Sequence, residues 1–119
     1  MNVGIDLTYI PRFKDKDALA KKILSQNELI EYNSSVKKDE YLASRFCVKE
    51  AFLKSIKHGV LDFDLKTIVI VKEKSGAIHV EFNGEKYNAS LSHELDYCVG
   101  VVLHDWYIFR SKFSWLQYN

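Results

Sequence analysis

Leu42-Ala43-Ser44-Arg45-Phe46-Cys47-Val48-Lys49-Glu50-Ala51-Phe52-Leu53-Lys54 is the stretch whose reading decides the fold. At about 100° per residue, Leu42, Phe46, Leu53 and the following Ile56 form one apolar stripe, while Tyr41, Val48 and Phe52 form a second. A helix apolar on two sides is buried on more than one side. The segment therefore reads as the longest helix, residues 39–57, with Gly59 as its stop. Glu50 and Lys54 lie one turn apart in a sector shared with Ala43 and Cys47, small side chains that suggest a pocket wall open to a bulky ligand. Two readings fit that spacing. One is an ion pair on a solvated face, worth about 0.2–0.5 kcal/mol; the other is part of a binding site.

Upstream, Val3, Ile5 and Leu7 alternate with Gly4 and Asp6, the period of a short strand. The expectation is that the apolar side of this strand faces the core and that Asp6, on the glycine side, points away from its apolar neighbours. An aspartate in such a place is ordinarily a turn residue or an N-cap. If strand and helix pack side by side, Asp6 and Glu50 can instead share a hard divalent ion, with water and phosphate oxygens completing the octahedron that magnesium prefers. Between them, residues 15–32 carry Leu19, Ile23 and Ile30 at helical spacing, ended by Asn33-Ser34-Ser35.

Downstream the period changes from helical to alternating. Residues 67–71, 78–82, 87–92 and 97–103 read as strands, joined around Lys74-Ser75-Gly76, at Asn83-Gly84 and through residues 93–96. Asn-Gly between two such runs signals a hairpin, because both residues tolerate the positive φ of a type I′ turn. The fold class is α+β: a long buried helix packed on an antiparallel meander. The aromatic tail, residues 105–119, fits a last strand, a subunit contact or a loosely held end.

Composition sets the outer limits. The 119 residues, 47% hydrophobic and without repeat or linker, suit one domain spanning 1–119, small enough for oligomerisation to add useful burial. Seventeen basic against sixteen acidic residues give a net charge of +1, so nothing calls for nucleic acid as a partner. Cys47 and Cys98 lack metal-ligand spacing, no secretory leader precedes the first strand, and no run is apolar enough to span a membrane. A cytoplasmic protein with reduced core cysteines is expected.

Gly4-Ile5-Asp6, the block Leu42 through Lys54 and the late Ser90-Leu91-Ser92-His93-Glu94 resemble, in order and spacing, the three signatures of the holo-acyl-carrier-protein synthases, the small bacterial 4′-phosphopantetheinyl transferases. Ser44 replaces the glycine usual before the arginine, Lys57-His58-Gly59 replaces Gly-Thr-Gly, and Gly76-Ala77-Ile78 replaces Gly-Lys-Pro. The resemblance implies a phosphopantetheinyl transferase fold, a homotrimer with sites between neighbours, and transfer of phosphopantetheine from coenzyme A to a serine of apo-acyl carrier protein. It implies Mg²⁺ on Asp6 and Glu50, with Glu50 and Lys54 catalytic. Arg45, Lys49, Lys54, Ser92 and His93 would contact coenzyme A, and Arg12, in a locally basic stretch with Lys14, Lys16, Lys21 and Lys22, would dock the acidic carrier. The competing expectations are a non-catalytic coenzyme A or carrier-binding module of the same fold, and an unrelated interaction domain in which Asp6, Glu50 and Lys54 are only a salt bridge.

Overall fold

The computed structural model describes residues 1–56 and 64–104. In chain order these form β1 (Asn2–Tyr9), a 3-10 turn (Ile10–Phe13), α1 (Asp17–Ile23), α2 (Gln26–Ser34), α3 (Lys38–Ser55), a second 3-10 turn (Leu65–Thr67), β2 (Val69–Lys72), β3 (Ile78–Phe82), β4 (Glu85–Glu94) and β5 (Tyr97–His104). The strands make one antiparallel sheet in the order β1-β5-β4-β3-β2. The expected α+β class holds. The helix stop at Gly59 and the aromatic tail lie outside the described residues.

The long helix α3 lies against one face of the sheet and, as its two apolar stripes require, is buried on several sides. Leu42, Val48, Phe52 and Leu53 join Ile70, Val80 and Val102 in the core. Phe52 packs between Phe82 and Tyr87, at 5.2 and 5.0 Å between ring centroids, distances that favour tilted aromatic pairs. Asp39 and Glu40 in the first turn and Lys54 in the last complement the helix dipole.

The approach of α3 to β1 and β5 is set by glycines. A Cβ on Gly4 would stand 1.7 Å from the carbonyl oxygen of Ala51 and 2.6 Å from the amide nitrogen of Ser55, inside a helical hydrogen bond. One on Gly100 would stand 3.3 Å from Cys47 Sγ. This corrects two expectations. The glycine side of β1 faces the helix, because no apolar side chain fits there; Val3, Ile5 and Leu7 turn outward and are more than half exposed. Ala43 and Cys47, both fully buried, admit the sheet and not a ligand.

The expected single helix over 15–32 is two helices. Ser25 is a capping residue: its Oγ accepts from the Glu28 amide at 3.3 Å while Glu28 Oε1 accepts from the Ser25 amide at 2.8 Å, the reciprocal box that starts a new helix. The Asn83-Gly84 turn is as read, with φ of 51° and 78°.

Candidate active site

Asp6 and Thr8 are on the β1 face toward α3, and Glu50 and Lys54 are on the facing helix. Lys54 Nζ donates to Asp6 Oδ1 at 3.0 Å and to the Ile5 carbonyl at 3.1 Å. Thr8 Oγ1 donates to Asp6 Oδ2 at 2.6 Å. Glu50 is different: its Oε1 is buried and, among the described residues, has no hydrogen-bond partner. Burial above all, and then the charge of Asp6, push its carboxyl above the ordinary value, against a smaller opposing pull from Lys54. A buried, unpartnered carboxylate oxygen beside a second carboxylate is an arrangement that a cation would satisfy. Among the described residues no three His, Cys, Asp or Glu side chains gather into a metal cluster, so the protein offers such an ion two carboxylates and leaves the other positions to water or substrate.

Cys47 lies behind this site, with Sγ 3.2 Å from the Asp6 carbonyl and 3.7 Å from that of Cys98. On the other side of Cys98 opens a groove of ≈ 360 Å³ whose walls include Lys37, Arg45, Lys72 and His93. Arg45 is 8% exposed. Its guanidinium sits 4.2 Å from the Tyr41 ring centroid, donates from Nη1 to Ser44 Oγ at 3.2 Å and approaches Glu31 at 3.8 Å, while its buried Nε has no partner among the described residues. His93 Nε2 is 3.1 Å from Glu40 Oε1. Arg45 and Lys72 also line a second groove of ≈ 230 Å³ whose wall includes Ala77 and Ile78, which stand where the family pattern has Lys-Pro. Concave, cation-lined space of this kind suits a phosphorylated ligand.

Three expected site residues are placed differently from the reading. Lys49 is fully buried, donating from Nζ to Glu28 Oε1 and the Ile23 carbonyl at 2.7 Å and to the Leu65 carbonyl at 3.0 Å. Burial holds its ammonium below the ordinary lysine value, against the pull of Glu28. All three of its protons are engaged, so it ties α1, α2 and the 64–67 turn to α3 and is not available to coenzyme A. His93, expected in the 93–96 connection, belongs with Ser92 to β4; successive strand residues face opposite ways, so of the two only His93 lies on the helix side. Ser92 borders a cleft with Leu7 and Tyr97 that meets the larger groove at His93 and Cys98. Arg12 is exposed on the first 3-10 turn, its guanidinium 5.4 Å from the ring centroid of the buried Phe13.

Thr8, Lys37 and Lys72 were not singled out from sequence. Thr8 was legible, since Asp-x-Thr in a strand puts both side chains on one face. Lys37 and Lys72 come to the groove from the α2–α3 connection and from β2, segments far apart in sequence whose meeting carries no local signal.

A family model described as the 4′-phosphopantetheinyl transferase superfamily matches residues 2–108. The chain belongs to that family. Within it, the relatives are holo-acyl-carrier-protein synthases: the Mycoplasma mycoides protein of that name is 37% identical over 106 residues, covering 86% of this chain and 92% of its own. The crystal structure of the Neisseria meningitidis synthase superposes with a TM-score of 0.75 at 26% identity, covering 85% of this chain and 94% of that one. The Helicobacter pylori synthase, in complex with coenzyme A, superposes with a TM-score of 0.74 at 23% identity over 85% of this chain and 97% of that one, and shows likeness of fold. The chain is an enzyme of the phosphopantetheinyl transferase class.

Proposed function

We propose that this protein transfers the 4′-phosphopantetheine group of coenzyme A to a serine of apo-acyl carrier protein, with Mg²⁺, and releases 3′,5′-ADP. The observation that carries the reading is the buried Oε1 of Glu50, without a partner among the described residues and within electrostatic reach of Asp6, at the two acidic positions of the family motifs. Asp6 and Glu50 are the residues that would hold the ion. Bound there, Mg²⁺ supplies neutralisation of the pyrophosphate and polarisation of the phosphorus under attack.

The rest belongs to the chain's own groups. The serine oxygen bonds to phosphorus as the pyrophosphate P–O bond breaks, and the electron pair leaves with 3′,5′-ADP. Glu50, directly or through a water, takes the serine proton. Lys54, about half exposed and already within 3.0 Å of Asp6, donates to the departing phosphate as charge grows on it. Arg45 and His93 hold nucleotide phosphates in the groove that both line. Arg12 docks the acidic carrier; Arg12→Glu tests this, the expected result being a salt-dependent loss of carrier affinity with coenzyme A affinity retained.

The active assembly is a homotrimer with sites between neighbours. Supporting this, the outer face of β1 and β5 is apolar: Val3 pairs with Leu103, Ile5 with Val101, Leu7 with Val99 and Tyr9 with Tyr97, a continuous patch of the kind that marks an interface. Two free, buried cysteines fit a reducing compartment, the cytoplasm, and no helix among the described residues is long and apolar enough to cross a membrane. No observation favours the non-catalytic binding module. Incubation with coenzyme A, Mg²⁺ and apo-carrier, followed by mass spectrometry of the carrier, tests the proposal: the carrier gains the mass of one phosphopantetheine, and an unmodified carrier at every enzyme concentration sinks it.

A further inference from the structure

We infer that Thr8 is a positioning residue of this site: its hydroxyl fixes the Asp6 carboxylate in the orientation that turns Oδ1 toward Lys54 and in which the group would be presented to an ion. The inference rests on the reading of Asp6 and Glu50 as magnesium ligands. Thr8 follows Asp6 by two residues and so shares its side of the strand. At 1% exposure its hydroxyl is out of water and must be hydrogen-bonded or costly. It donates to Asp6 Oδ2 at 2.6 Å, the length of a charge-assisted bond. Lys54 holds the other oxygen, Oδ1, at 3.0 Å.

Each carboxylate oxygen therefore has its own donor, and the group cannot rotate without breaking one of the two bonds. Of the two donors only Thr8 is rigid. Its backbone is locked in register opposite Cys98, and its β-branched side chain has few rotamers, whereas Lys54 is about half exposed on a flexible stem. Lys54 is free to leave Asp6 for the substrate only if something else keeps the carboxylate in place. A valine would fill the same buried space and suit the strand equally well, so the hydroxyl is the feature to test.

The experiment uses Mn²⁺ as a spin-active probe, titrated into the full-length protein without substrate and followed by electron paramagnetic resonance, for wild type, Thr8→Val, Thr8→Ser and Asp6→Asn. Melting temperature is measured alongside. Thr8→Val is expected to weaken Mn²⁺ binding about tenfold, the scale of one hydrogen bond to a charged group. It should raise the metal concentration for half-maximal transfer in parallel. Thr8→Ser, which keeps the hydroxyl, should bind Mn²⁺ like wild type. Thr8→Val binding Mn²⁺ as tightly as wild type, while Asp6→Asn loses it, overturns the inference about Thr8 and leaves the metal site standing. Thr8→Ser failing as badly as Thr8→Val also overturns it, since packing and not the hydroxyl would then be responsible. Undiminished binding in Asp6→Asn removes the metal reading itself, and the role of Thr8 with it.

Discussion

Glu50 carries a buried carboxylate oxygen, Oε1, without a partner among the described residues, and that has consequences for both stability and rate. Its carboxyl is pushed above the ordinary range by burial first and by Asp6 second, so the folded state binds its proton more tightly than the unfolded chain does. Linkage then gives the sign. Below the usual carboxylate range, about pH 4, both states are protonated and Glu50 contributes nothing; as pH rises through its raised value, ionisation costs the folded state stability. Glu50→Gln should therefore melt a few degrees higher than wild type at neutral pH without metal, lose that gain near pH 4, and lose most transfer at every pH. A neutral-pH melting temperature below that of wild type contradicts the assignment. Lys54 is tested by Lys54→Met, which keeps the stem and removes the charge. A donor aimed at developing charge is worth about 3–4 kcal/mol, so single-turnover transfer at saturating coenzyme A should fall by two to three orders of magnitude while direct coenzyme A binding changes little. Weak binding with a wild-type rate at saturation reduces Lys54 to a nucleotide anchor.

At the scale of elements, the relation of β1 to α3 decides both the fold and the site. Gly4 and Asp6 are two residues apart on one face, so whatever moves the strand from the helix moves the carboxylate too. Gly4→Ala puts a methyl group into the Ala51–Ser55 hydrogen bond, against backbone atoms that cannot yield cheaply. Gly100→Ala meets the Cys47 and Val48 side chains at 3.3 Å and the Cys47 backbone at 3.4 Å, a crowding that a shift of a few tenths of an ångström relieves. Gly4→Ala is thus expected to cost about 3 kcal/mol or more and Gly100→Ala about 1 kcal/mol or less; urea unfolding measures both, and equal costs contradict the account. This crossing also explains what the sequence showed and what it hid. The strand and its alternation were readable from period; spacing left Glu50 and Lys54 open between a surface ion pair and a site, and the resemblance to the family's motifs is what joined them to Asp6. The side of the strand facing the core was not readable, because periodicity reports that two faces differ and not which one meets a helix at glycine distance. The break between α1 and α2 was readable, since Ser25 and Glu28 spell a capping box, and reading 15–32 as one helix missed it. The burial of Lys49 was not readable, because Glu28, Ile23 and Leu65 come to it from three separate elements.

For the whole molecule, the unresolved demand of the sequence is the outer face of the sheet. Val3, Ile5 and Leu7 alternate like core residues and yet lie outside, beside Tyr9, Tyr97 and Leu103, all exposed in the single chain. A chain of 119 residues has little core to spare, and covering this patch with a second and third copy would recover the burial that the glycine crossing denies those side chains. Ile5 is at the middle of the patch, opposite Val101, with its side chain pointing away from Asp6, so Ile5→Lys places charge in the proposed interface without touching the carboxylate site. Light scattering on the wild type is expected to give three times the chain mass, and on Ile5→Lys a lower mass that rises again with protein concentration. If sites lie between neighbours, transfer by the variant should fall at low concentration and recover as the trimer re-forms, with an unaltered far-ultraviolet circular dichroism spectrum excluding misfolding. A wild type that is monomeric at all concentrations yet fully active contradicts the trimer; a monomeric Ile5→Lys with undiminished transfer shows that each copy carries a complete site.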